Sequence, residues 1–327
     1  EYQTQTGTTI ASGATAPFTF SWTPAAAQNY TLKGEVVLEG DENPANDTTP
    51  GYTVIVQPEG TASVYIGNPN TTTTTYSYPI NFFYKSSISQ TIYMENELNI
   101  GGAITMFKYH ADLAGGISGP KPLKVWMANT NQTAFASTSD WLPLSEFTLV
   151  FDGTIDFTGL SGEVELSIPL ATPFAYAGGN LCLMVNRPLD GQYYSTSNKF
   201  KTTATANYPN RLMYVNSDTV EYNPSALPTG TRVGIVPNTT FSISTAGLAT
   251  LEGNVTFNGA PISQVTVSID GTPRSTTTNA QGHYQFDYLT PGTVSITASK
   301  VLFNDAHVDD IVLVADETTT QDVELSL

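Results

Sequence analysis

Gln264-Val265-Thr266-Val267-Ser268-Ile269-Asp270 alternates polar and apolar residues without a break, and Asp322-Val323-Glu324-Leu325-Ser326-Leu327 repeats the pattern. Side chains on a β-strand point alternately to opposite faces. The spacing therefore buries Val265, Val267 and Ile269 and leaves their neighbours in water. The same period of two runs through residues 18–22, 32–39, 52–56 and 164–168, whereas residues 181–185 are continuously apolar. The expected fold class is all-β, with three β-sandwich domains in series.

Bulk composition points the same way. A length of 327 residues suits two or three domains, each with its own core. The chain is 40% apolar and 13% charged, with 26 Gly and 20 Pro. That balance fits sheets joined by tight turns and not a helical protein rich in Glu, Lys, Leu and Ala. Twelve basic against 29 acidic residues leave a net charge of −17. Such a surface repels phosphate backbones, so nucleic acid is excluded as an expected partner. Acidity is compatible with divalent cations but does not by itself create a metal site. Cys182 is the single cysteine, set in the apolar run of residues 179–185, and reads as a buried, inert thiol outside any intramolecular disulfide. No apolar stretch reaches about 18 residues, the length of a membrane-spanning helix. Low Lys and Cys with abundant Thr, Asn and Tyr suggest the mature interior of a larger secreted or surface protein, extracellular in location.

Three segments follow from the turns. Residues 1–60 contain "FTFSWTP" and "YTLKGEVVLEGDENPANDTTPGYTVIVQP". This run resembles the second half of a CARDB-type domain, the immunoglobulin-like cell-adhesion-related domain of bacteria. A full sandwich of that kind needs about seven strands, so the resemblance implies missing strands, supplied by upstream sequence or by another chain. In residues 61–246, apolar runs at 123–127, 147–151, 164–168 and 181–185 are separated by Gly, Pro and Asn, and roughly ten strands are expected. The pattern "YPINFFYKSSISQTIYMENEL", "KVWMANT" and "PFAYAGGNLCLMV" resembles a module of large surface proteins in the Bacteroidetes and related anaerobes. It is distantly similar to jelly-roll adhesin modules of their secreted proteases, which implies a jelly-roll-like sandwich. Residues 247–327 carry "LEGNVTFNGAPISQVTVSI", "TTTNAQGHYQFDYLTPGTVSITAS" and "TTTQDVELSL". They resemble a carboxypeptidase regulatory-like, or transthyretin-like, domain, which implies a small seven-stranded sandwich acting as a spacer. Within it Asn279-Ala280-Gln281-Gly282 reads as a turn, and Tyr284 and Phe286 face inward on the strand that follows.

Chemistry is sparse. Catalysis needs a positioned nucleophile and base, a metal, or paired carboxylates. His110, His283 and His307 are the three histidines, and no His-Glu-x-x-His, Gly-x-Ser-x-Gly or Cys-His arrangement accompanies them. Catalytic residues and cofactors are therefore expected to be absent. Asp152 and Asp156, or Asp41 and Asp47, are weak candidates for one structural calcium, although Asp and Asn in turns also serve the backbone alone. Tyr76, Tyr78, Trp141, Tyr193 and Tyr194 are candidate glycan contacts, since jelly rolls hold sugars against exposed aromatic faces. In the same aromatic run Phe82 and Tyr84 alternate with Phe83, a spacing that suits a core before a platform. Thr48 and Thr219, each after an Asp, are similar to Bacteroidetes O-glycosylation sites. The expected role is a non-catalytic, adhesin-like structural segment that self-associates or contacts neighbouring domains by strand complementation of its first part. The alternatives are a polysaccharide-binding module with spacers, and the attachment region of a secreted hydrolase.

Overall fold

A computed structural model describes the chain except residues 1–2, 8, 12–13, 26–28, 39, 41–42, 44, 46, 50, 56–59, 69–74 and 206–208. It divides into two compact units, Glu1–Glu59 and Gly60–Leu327. Among the described residues of the first unit, strand Asn29–Leu32 pairs antiparallel with Tyr52–Ile55, and Glu35 forms a single bridge to Thr48. Residues 18–22 form no strand, and the expected strand over residues 32–39 instead ends at Leu32. Alternation sorts side chains between faces, but a strand also requires a partner for its N–H and C=O groups. Among the described residues beyond Leu32, the Glu35–Thr48 bridge and the Thr49 hydroxyl supply partners, but no continuous ladder forms.

In the second unit, thirteen strands among the described residues between Thr61 and Ser244 make two antiparallel sheets. The count exceeds the roughly ten expected because short pieces such as Thr75–Tyr76 and Ile235–Pro237 pair at sheet edges. One sheet runs, in spatial order, Thr231–Val233, Leu212–Ser217, Ser86–Tyr93, Asn180–Arg187, Pro120–Thr130 and Thr148–Asp156. The facing sheet is built around the long strand Gly102–Leu113, which pairs with Gly162–Tyr176 and Thr239–Ser244. Phe107, Tyr109, Met127, Leu183 and Phe241 fill the space between the sheets.

Strand Asn180–Arg187 explains its own continuous apolar run. Leu181, Leu183 and Val185 enter the core between the sheets. Cys182 and Met184 point the other way, into clusters with Phe135, Leu142, Trp126 and Tyr222, which lie on or beside segments folded over the outer face. A strand covered on both faces is apolar at every position. Its neighbour Ser86–Tyr93 is equally buried yet largely polar. Gln90 accounts for much of this: its Nε2 donates to the carbonyl of Leu142 at 3.0 Å, and its Oε1 accepts the Leu142 N–H at 2.9 Å. That pair of bonds fastens the covering segment to the sheet.

Residues Ala249 to Glu324 form the second sandwich of this unit. A five-stranded sheet centred on Ala249–Phe257 packs on a four-stranded one containing Thr266–Ile269 and Gly292–Ser299. Val265, Val267 and Ile269 are buried as their spacing requires, and Tyr284 and Phe286 meet them from the other sheet. The turn at 279–282 closes with the Gly282 N–H donating to Asn279 O at 3.0 Å. Gly282 sits at φ +76, and a Cβ there would lie 2.7 Å from Val255 O, so glycine is required twice over. The two sandwiches are joined where the Gly101 N–H donates to Tyr288 O at 3.3 Å.

Candidate functional site

Two loops of the first sandwich in this unit place aromatic rings in water. Phe83 follows the buried Phe82, and Tyr193 follows strand Asn180–Arg187; they are 41% and 62% exposed. Their rings stand edge to face with centroids 6.3 Å apart. With Tyr194, Ser195, Thr196 and the Gly115–Gly116 turn they line an open depression of about 570 Å³.

What holds it in place is a buried cation. Arg187 ends its strand with a side chain 1% exposed. Its guanidinium donates to the carbonyls of Tyr84, Asn81 and Gln192 and to Asp190 Oδ2 at 3.0 Å. The plane lies over the Phe82 ring at 5.5 Å and near Tyr194 at 5.9 Å. Lys121 joins from the neighbouring strand, 3.2 Å from Asp190 Oδ2 and 4.9 Å from the Tyr194 centroid. Burial pushes the Asp190 carboxyl up, but the Lys121 hydrogen bond, the Gln192 amide and Arg187 outweigh it and hold the group below the usual carboxylate range. Tyr194 N–H donates to Phe82 O at 2.7 Å and ties the two loops together. The charges thus lie beneath the depression, paired with one another.

The sequence candidates scatter around this feature. Tyr193 and Tyr194 belong to it. Tyr76 is 38% exposed but does not line it. Trp141 is half-buried, and its Nε1 donates to Pro228 O at 2.8 Å, closing a covering loop. Tyr78 is corrected: it is buried and stacked on Tyr214 with centroids 3.5 Å apart, so it offers no face to a sugar. Phe83, read as one of an alternating core run, is the aromatic that reading missed. Residues 82–85 form a bend and no strand, so the period of two does not apply there.

Asp152 and Asp156 do not converge on one ion. They share strand Thr148–Asp156 four residues apart, which at about 3.4 Å per residue separates them by about 14 Å along one face. One ion with ligands within about 2.6 Å cannot hold both. Asp152 instead pairs with Lys124 at 2.9 Å, and the Thr158 hydroxyl, followed by the Thr158 N–H, holds the Asp156 carboxyl below the ordinary value. Asp47 is half-buried, and Asp41 lies outside the described residues. Among the described residues no three His, Cys, Asp or Glu side chains are grouped to hold a metal.

The remaining reactive types have structural surroundings. His110 Nε2 meets Thr240 Oγ1 at 2.8 Å, its ring stands on Tyr65, and burial lowers its pKa. His283 lies 3.6 Å from Glu252, and His307 sits between Asp270 and Asp309 on an exposed strand. Cys182 is fully buried, and burial drives its thiol pKa well up. The folded protein is expected to resist an aqueous thiol reagent and to take up one equivalent once denatured; fast reaction in the native state would contradict this packing. Thr48 and Thr219 are both exposed. No helix among the described residues is long and apolar enough to cross a membrane.

No curated protein matches the chain. Among solved structures, a type II cohesin–X-dockerin complex from Acetivibrio cellulolyticus is 18% identical, with a TM-score of 0.22, over 24% of this chain and 56% of that one. The chain therefore spans about half of that structure. The minor pilin GBS52 of Streptococcus agalactiae is 11% identical over 66% of this chain and 87% of that one, with a TM-score of 0.22. The group B streptococcus pilus 2b backbone protein is 12% identical over 82% and 97%, with a TM-score of 0.20. Likenesses of this size carry no inference. Residues 250–326 match the carboxypeptidase regulatory-like domain family, as the residues quoted from 247–327 imply.

Proposed function

We propose that this chain is a non-catalytic, extracellular structural segment of adhesin type, built in three parts with boundaries near residues 60 and 246, whose first part associates by strand addition. One observation carries the reading. Among the described residues, the first unit has a single four-residue ladder, yet Phe18, Phe20, Val36, Val37 and Leu38 are 45% to 83% exposed. A two-stranded pair is marginal in water and is stabilised by a further strand. An added strand from another copy would satisfy the edge and cover the apolar side chains, and a head-to-tail contact of this kind extends without closing. The second unit would then serve as spacer, its two sandwiches joined by the Gly101–Tyr288 backbone hydrogen bond. Exposed Thr48 and Thr219 suit O-glycosylation of such a surface.

Sedimentation velocity of the full chain over rising concentration tests this. Reversible association is expected, and the paired substitution Phe20→Asp with Val37→Asp should return the chain to monomer while leaving the melting of the second unit unchanged. A monomer at every concentration, with residues 1–59 resistant to protease, would falsify the assembly reading. Turnover of peptide, ester or glycoside substrates would overturn the non-catalytic one.

A further inference from the structure

We infer that the Phe83–Tyr193 depression is a binding site for a neutral polysaccharide. The inference is independent of the assembly reading, since it rests on a different unit. Scattered single apolar side chains on a surface need no explanation. Here two rings separated by 110 positions in the chain are brought to 6.3 Å and left in water, while neighbouring aromatics such as Phe82 are buried. Sugar rings have apolar C–H faces and hydroxyl edges, and they suit an aromatic wall beside small polar groups. Ser195, Thr196 and the Gly115–Gly116 backbone supply those groups around the rings.

Charge selects the class of sugar. No residue lining the depression is ionisable apart from the tyrosine phenols. The nearby cations, Arg187 and Lys121, are engaged by Asp190 below it. With a chain charge of −17 and no cation lining the depression, an acidic polysaccharide would be repelled. The depression is open and shallow, which fits a run of a polymer and not an enclosed small molecule. It is also rigid before any ligand arrives. Arg187 bonds both loops, and the Tyr194 N–H joins them again, so little ordering is required on binding.

Calorimetric titration of the full chain with cellohexaose, xylohexaose and mannohexaose, and with hexagalacturonate as an acidic counterpart, tests the site. At least one neutral hexaose should bind. Tyr193→Ala should weaken it about tenfold, the loss of roughly one aromatic contact. Phe83→Ala should act in the same direction, and Tyr76→Ala, outside the depression, should change nothing. Tyr193 is mostly in solvent, so an unchanged melting temperature will separate lost binding from lost folding. The inference fails if no neutral hexaose binds at millimolar concentration, if Tyr193→Ala leaves binding intact, or if hexagalacturonate binds more tightly than the neutral sugars.

Discussion

Replacing Arg187 by methionine is expected to lower the unfolding free energy of the Gly60–Leu327 unit by about 3–5 kcal/mol. Methionine fills much of the volume but none of the bonds. Three carbonyls, of Asn81, Tyr84 and Gln192, lose a charged donor, and Asp190 retains Lys121 as its remaining cation. Removing a buried donor is costly because the carbonyls it served lose their charged partner away from water. Urea unfolding followed by tryptophan fluorescence should show a lower midpoint with an unchanged slope, and amides of residues 188–198 should exchange faster. The pH dependence has a fixed sign. The Asp190 carboxyl is depressed in the folded state, so its contribution is complete above about pH 4, the ordinary value for Asp, and is lost as pH falls through the lower folded value. The wild type should therefore lose more stability than Arg187→Met between neutral and strongly acidic solution. Equal midpoints for the two proteins would show that Arg187 does not hold these loops.

The reach of the sequence is best judged residue by residue. Period two identified the inward faces at Val265, Val267, Ile269, Tyr284 and Phe286, because in these strands one face meets a core and the other meets water. The run around Cys182 was legible as burial, although not as burial on two faces. Ser86–Tyr93 was not legible at all. Its Ser, Gln and Thr residues carry no apolar period, yet they are buried because covering segments bring backbone groups to them, as Leu142 does for Gln90. The depression was half legible. Tyr193 and Tyr194 announced an aromatic pair, but the exposure of Phe83 and the burial of Tyr78 depend on a bend and on Tyr214, which lies 136 positions from Tyr78 in sequence. Arg187 gave no local signal, since its partners are carbonyls and carboxylates set by the fold.

Gly253→Ala is expected to detach the closing strands of the last sandwich. A Cβ at this position would lie 1.9 Å from Gln321 O and 2.6 Å from its carbonyl carbon, both backbone atoms that cannot swing aside. Gln321 is the hinge between Thr318–Thr320 and Val323–Glu324, the two short strands that run parallel to Ala249–Phe257. Its N–H donates to Glu252 O at 2.8 Å, and its carbonyl accepts the Tyr284 hydroxyl at 2.5 Å. Pushing it away breaks both bonds and withdraws Val323 and Leu325 from the core, at about 1.5–3 kcal/mol for each side chain. The loss should therefore reach about 3–6 kcal/mol, with fast hydrogen exchange confined at first to residues 318–327. Gly259→Ala provides the contrast. Gly259 has φ +74 with open space where a Cβ would go, so only the left-handed backbone is strained, at about 1 kcal/mol. Calorimetric melting of the two variants should rank Gly253→Ala far below Gly259→Ala. The reverse order would mean that the closing strand yields easily and that steric closeness at Gln321 does not hold the sandwich shut.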